Sequence, residues 1–361
     1  MIKSLRQLYC ALIAVGLTAC ASTQPPPVVP TANETLLSAP AETPFNLPVN
    51  VFSSYISDAT AKQCKAAQST QAECKNDGIA ANDFLTALEQ LSLFAELSPS
   101  LSQYDYELLI ANQITESHSP VGSVDAAPQS YTEFSVEWRG MQLDSHLVHY
   151  EHSGQVTAQD VEQIILQWWQ HAEKQHIFTT PYLYQAMGAS DYTNQLILPE
   201  SLNEFQLARQ YLYPDPFKGV LARYLHPSFT EAVLDITIYP VLSVLNEHTS
   251  TRLSKELTDA ISEARETAAA RQMNIDVKQH LTPFNNESAI AEQGLMSEMV
   301  AESESGESLY ASIYVFQLED KFVKISTTFP ARVGDDLVRA ALKEVRVPPE
   351  SPLMKELRLA L

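Results

Sequence analysis

The chain has 361 residues, 45% hydrophobic and 19% charged, proportions that argue for a globular body and against wholesale disorder. Its 44 Asp and Glu outnumber 23 Lys and Arg; the net charge of −21 repels phosphate backbones and anionic head groups and excludes nucleic acid as the expected partner. There are ten glycines, and the closest two, Gly294 and Gly306, stand twelve apart, so a dinucleotide fingerprint, a P-loop and a nucleophile elbow are absent in standard form.

Lys3 and Arg6 open the chain, Leu8 to Leu17 carries no charge, and small residues lead into Cys20, the three-part layout of a secretory signal. The uncharged stretch from Leu8 to Ala21 is 14 residues, short of the ~20 a membrane-spanning helix needs. Leu17-Thr18-Ala19-Cys20 resembles the lipobox of bacterial lipoproteins. That resemblance implies that residues 1–19 are a signal peptide and that Cys20 becomes the first residue, carrying diacylglycerol on sulfur and an acyl group on its new amine. Stable anchoring takes two or more chains, which a lipobox supplies. Ala21 and Ser22 follow instead of an aspartate, which in that family is the outer-membrane address of a two-membrane bacterium. Loss of Lys3 and Arg6 moves the net charge from −21 to −23, so attachment is expected through the lipid and not through a basic patch.

Of four cysteines, Cys10 leaves with the signal and Cys20 is lipidated; Cys64 and Cys74, ten positions apart in an exported chain, suggest a disulfide. Two free thiols and a metal pair are the alternatives. From Cys20 to residue 50 there are seven prolines (Pro25, Pro26, Pro27, Pro30, Pro40, Pro44, Pro48) and no lysine or arginine, which predicts a disordered tether with polyproline character. Such a segment reaches roughly 30 Å.

The folded part is expected to begin with helices over 51–67 and 80–97, the second with Phe84, Leu88, Leu91 and Ala95 at helical spacing. Alternation then predicts strands: Tyr104, Tyr106, Leu108 and Ile110 share one parity, and Thr132, Phe134, Val136 and Trp138 oppose Glu133, Ser135, Glu137 and Arg139. Gly140 suggests a turn into a strand from Met141 to Tyr150. Thr157 with Asp160 is an N-cap signal for a helix whose stripe is Val161, Ile164, Ile165, Trp168 and Ala172. The pattern weakens from Thr179 to Leu202, the expected joint between an N-terminal domain over 51–195 and a C-terminal domain over 203–361. In the latter, strands are predicted over 206–213, 220–226 and 232–239. A helix follows over 250–273, then one or two strands, a hairpin over 309–318 and 322–329, and a helix over 335–345. Meander strands with segregated helices imply an α+β fold of antiparallel sheets with amphipathic helices on one face. Tyr213-Pro214-Asp215-Pro216, Gly219, Tyr239-Pro240 and Phe322-Val323-Lys324-Ile325 resemble uncharacterised secreted bacterial proteins and the Mog1/PsbP-like α/β sandwich, a resemblance that covers less than half the chain and carries no catalytic motif.

Chemistry leaves few marks. His146, His149 and His152 are spaced by threes, but in a strand His146 and His152 lie roughly 20 Å apart with His149 on the other face, so neither a metal site nor a cofactor is expected. Glu133 and Glu137 offer the carboxylate pair of glycosidic cleavage, against the simpler role of a solvated strand face. Glu298, Glu302, Glu304 and Glu307 lack the oxygen spacing of a calcium loop. Trp168 belongs to the apolar stripe, whereas Trp169 lies off it; with Tyr182, Tyr184, Tyr192, Tyr211 and Tyr213 near the joint, Trp169, Tyr182, Tyr184 and Tyr192 are the candidate ligand-binding residues. The expected function is that of an outer-membrane-anchored periplasmic lipoprotein that binds another envelope protein or supports an assembly without catalysis. An envelope hydrolase acting on peptidoglycan or polysaccharide, and a small-ligand binder at the joint, are the alternatives.

Overall fold

The computed structural model describes residues 45–67, 72–100, 104–117, 127–245, 248–284, 293–302 and 308–360. The signal segment, Cys20, Glu304, Glu307 and the tether up to residue 44 lie outside the described residues. The chain forms two compact units, one ending at Met187 and one spanning Gly188–Leu361. Both combine helices with largely antiparallel sheets, the predicted α+β class.

The first unit contains β1 (Phe45–Ser53), α1 (Asp58–Ala67), β2 (Ala72–Asn76), α2 (Ala81–Leu91), β3 (Phe94–Ser98), β4 (Tyr106–Ser117), β5 (Gln129–Trp138), β6 (Met141–Glu151), α3 (Ala158–Gln175) and α4 (Thr180–Ala186). The sheet order is β3-β1-β4-β5-β6, with β2 on the far half of β4. β1 runs parallel to β3 and β4, and the other pairings are antiparallel. Two predictions fail here. Residues 45–50 belong to a strand and not to the tether, and the helix expected over 51–67 divides into the end of β1 and the later α1. A strand buried on both faces has no simple polar alternation, and Val49, Asn50 and Val51, which point to alternate faces, are all buried, so periodicity did not identify it. The helix expected over 80–97 stops at Leu91 because Ser92 turns left-handed at φ 51°, a role that glycine more often signals, and Phe94–Ser98 is β3.

Trp168 of α3 stacks on Phe134 of β5 with ring centroids 4.9 Å apart, and Phe84 of α2 meets the same phenylalanine edge-on at 6.1 Å. α3 starts in the predicted capping box, each of Thr157 and Asp160 accepting the other's backbone N–H. The opposite face of β5 receives α1, a mostly polar helix. It buries Thr60 and Cys64, Thr60 donates a 2.7 Å hydrogen bond to Glu133, and Cys64 is bridged to Cys74 of β2 with Cα atoms 6.3 Å apart. With little apolar surface to dock it, α1 relies on the covalent link; replacing both cysteines by alanine is expected to cost about 2 to 3 kcal/mol. Denaturant unfolding of the variant against the oxidised parent measures this, and coincident transitions would show that the bridge adds nothing.

The second unit contains β7 (Ser201–Leu202), β8 (Phe205–Leu212), β9 (Val220–Leu225), β10 (Val233–Pro240), α5 (Thr249–Ala269), β11 (Asn274–Phe284), β12 (Gly294–Glu302), β13 (Ser308–Leu318), β14 (Lys321–Thr327), α6 (Ala331–Glu344) and α7 (Pro352–Ala360). The order is β11-β12-β13-β14-β10-β9-β8-β7, antiparallel throughout. Leu253, Leu257 and Ile261 of α5 pack with Ile313 and Val315 of β13. The next residue along β13, Tyr314, points the other way and donates a 2.8 Å hydrogen bond to Asp335 of α6. The helices are therefore shared between the two faces of this sheet and not gathered on one. Pro330 gives α6 no side-chain cap; the Glu298 carboxylate, reaching from β12, accepts the Ala331 N–H at 3.0 Å.

The helix α7 went unpredicted. It is tied down by Arg358, whose guanidinium donates to the Val241 carbonyl, to Asp320 at 3.1 Å and to Glu350. Asp320 also pairs with Lys321, a lysine whose side chain is wholly buried. Burial pushes the Lys321 ammonium below its ordinary value even with Asp320 beside it. Removing one partner from such a group strands the others without solvent. Asp320→Ala is therefore expected to lower stability by about 3 to 5 kcal/mol, read as a shift in the urea midpoint; a loss below about 1 kcal/mol, the range of an exposed pair, would show the cluster to be solvated.

Candidate functional site

In the second unit α5 lies over β11, β12 and β13. On the same side of the sheet, β8, β9, β10 and β14 carry a surface of different composition. Pairing fixes which side chains share it: Arg209 faces Arg223, Tyr211 faces Leu221, Arg223 faces Asp235, Thr237 faces Lys324 and Tyr239 faces Phe322. Most of these are half-buried, whereas their neighbours on the opposite side, including Ala222, Tyr224, Ile236, Ile238, Val323 and Ile325, are buried. Where this surface meets the flank of α5 there is a cleft of about 800 Å³, floored by Tyr213, Tyr239, Phe322 and Lys324 and walled by Lys255, Glu256, Asp259 and Glu263. Gly219 shapes its far end: φ is +63°, and a Cβ there would strike the carbonyl of Ile238, so the turn from β8 to β9 lies flat on β10 only with glycine.

The polar groups of this face satisfy one another. Arg223 forks onto Asp235 at 2.9 and 2.8 Å, and that hydrogen bonding holds the guanidinium above its already high value. Tyr239 donates to Glu256, and Lys324 stands 3.9 Å from the same carboxylate and 5.5 Å from the centre of the Tyr239 ring. Burial, then the charge of Glu256, drives the Tyr239 phenol far up, so it stays protonated and acts as a donor. Tyr211 and Tyr213 meet edge to face at 5.1 Å, and Arg209 lies 5.7 Å over Tyr211. A second concavity of about 700 Å³ opens beside the start of α6, but its carboxylates are already occupied, Glu298 in capping the helix and Asp335 in accepting from Tyr314.

No protein-family model and no curated protein matches this chain.

Of the residues singled out in the sequence as candidate ligand contacts, Trp169, Tyr182 and Tyr184 belong to the first unit and Tyr192 to the second. Trp169 is buried among Phe45, Phe94 and Phe178 at 5.2 to 6.2 Å, which accounts for its place off the stripe of α3: that helix is wrapped on a second side by β1, β3 and the chain after it. Tyr182 and Tyr184 lie on α4; Tyr184 is buried, and Tyr182 donates to the carbonyl of Leu143 at 3.3 Å. Tyr192 is buried in the second unit. Of the aromatic residues named beforehand, Tyr213 lines the cleft and Tyr211 adjoins it; Tyr239 and Phe322 were missed because nothing in their own segments distinguishes an open half of a sheet from a covered one. Glu133, one of the two carboxylates considered for glycosidic cleavage, is raised by burial but lowered more by hydrogen bonds from Ser57, Thr60 and Ser145. The outcome is an ionised carboxylate that docks α1, the opposite of a general acid.

Of the spaced histidines, His146 and His149 fall on opposite faces of β6, and His152 lies just past its end, buried 3.4 Å from Asp160. His146 stacks on His171 of α3, centroids 3.8 Å apart and rings 7° from parallel, so their in-plane lone pairs do not converge on one ion, and His171 contacts Asp144 at 3.2 Å. Burial, then repulsion by His171, lowers His146 below its ordinary value of 6.5 against the opposing pull of Asp144. A depressed imidazole means the fold favours the neutral form; its contribution is present above the ordinary value and is lost as pH falls through it. Stability is thus expected to decline on acidification from about pH 7 to 5, and His146→Gln to flatten that decline. Urea midpoints at successive pH values test this, and parallel curves for parent and variant would clear His146 of any part in it.

Proposed function

We propose that the chain is a lipid-anchored protein of the periplasmic face of the outer membrane that serves the cell envelope by binding and not by catalysis. The observation that carries this is the preset, half-uncovered face of the second unit beside α5, with aromatic rings and charges that already have partners. Arg223 with Asp235, and Tyr239 with Glu256 and Lys324, hold fixed donors and acceptors. Such closed pairs receive a ligand's hydrogen bonds without reorganising. The lipobox-like run Leu17-Thr18-Ala19-Cys20 supports the address. The bound partner is accordingly a component of the same envelope.

The address is tested by Cys20→Ser, which removes the acceptor sulfur. Density-gradient fractionation is expected to find the parent with the outer membrane and the variant in the soluble periplasmic fraction. A variant that stays with the membrane would rule out the lipid as the anchor.

A further inference from the structure

We infer that the open face of β8, β9, β10 and β14, together with the cleft beside α5, is a surface for an oligosaccharide of low charge. This rests on the binding role proposed above and names its ligand class.

The partly buried rings of Tyr211 and Tyr213 stand on neighbouring same-face positions of one strand and its continuation, and Tyr239 follows two strands away. A sugar ring offers C–H groups to an aromatic face and hydroxyls around its rim, so it uses rings and polar groups set side by side. The four strands place these side chains over roughly 15 Å, a span suited to a linear chain of sugars and too long for a single one.

Charge decides between a glycan and an ionic ligand. In a chain with 44 acidic and 23 basic residues, this face is close to balanced, with Arg209 over Tyr211 and the buried Arg252, held by Gln317, in excess of its four carboxylates. Arg223 is neutralised by Asp235 and Lys324 by Glu256. On the rim Lys218 and Lys255 stand against Asp259 and Glu263. A strongly charged ligand gains no net field there, whereas a hydroxyl, both donor and acceptor, bonds to either member of a closed pair. A hydrophobic protein partner is poorly served: Leu242 is the large apolar side chain most exposed among the cleft's described lining, and apart from Phe217, Pro240 and Phe322 the rest of the lining carries polar tips.

The test uses the mature full chain and three glycan probes: N-acetylchitotetraose and maltotetraose by calorimetry and isolated peptidoglycan sacculi by cosedimentation, the two soluble probes separating an amino-sugar chain from a plain hexose chain. At least one is expected to bind, and Tyr211→Ala with Tyr213→Ala to weaken it about tenfold or more with an unchanged thermal transition. Arg223→Lys, which keeps the charge and loses the fork, is expected to weaken binding several-fold while the fold persists. Failure of all three glycans, or equal binding by the double variant, overturns the glycan assignment. If a lysine-containing tripeptide with free termini, or a crosslinked envelope protein, occupies the face in a tyrosine-dependent way, the ligand class is wrong and the binding role stands. If the double variant leaves every envelope association intact, the binding role falls as well.

Discussion

An eight-stranded sheet is about 34 Å across, and a helix with its side chains is about 10 to 12 Å wide. One helix therefore cannot cover one face of the second unit. The helix α5 covers β11 to β13, and the other half of that face must either be apolar and take a partner or carry residues that tolerate water. It carries tyrosines, arginines, a lysine and acids, arranged by strict pairing into closed polar pairs beside aromatic rings. The cleft exists because the edge of α5 forms a wall along that uncovered half.

Coverage in the first unit is reached by other means. α2 and α3 bring a large aromatic core to one side of the sheet, and α1, too polar to dock through apolar area, is held to the other by a disulfide and by Thr60 on Glu133. In the second unit the ends of helices are settled by charges from distant strands: Glu298 caps α6, and Asp320 receives Arg358 of α7. Groups buried this deeply are costly unless every partner is in place, so they act less as a reserve of stability than as a condition on the register that brings them together.

A binding surface made of mutually satisfied pairs is chemically quiet. Its donors and acceptors are oriented before a ligand arrives, which lowers the ordering cost of binding. In a protein of strong negative charge the local composition of the face also matters, because its cations offset the negative field of the remaining surface. Aromatic rings beside paired charges are the ground on which a weakly charged, hydroxyl-rich ligand is proposed.

Much of the architecture was legible in the sequence because its signals are local. The alternation around Phe134 and Trp138, the Thr157 to Asp160 cap, the stripe of α5 and the hairpin turning at Glu319 and Asp320 each need only neighbouring residues to be recognised. The pairing of Cys64 with Cys74 followed from compartment and count. What the tertiary structure alone decided depends on contacts between distant segments. β1 is a strand because β3 and β4 flank it, Trp169 is core because β1, β3 and Phe178 close around it, and the helix α7 is held by an aspartate 38 residues earlier in the chain. The candidate site belongs to this second kind: Tyr239, Phe322, Lys324 and Glu256 read singly as ordinary strand and helix residues. They become a site because one helix is narrower than the sheet it covers, a matter of dimensions that no local periodicity records.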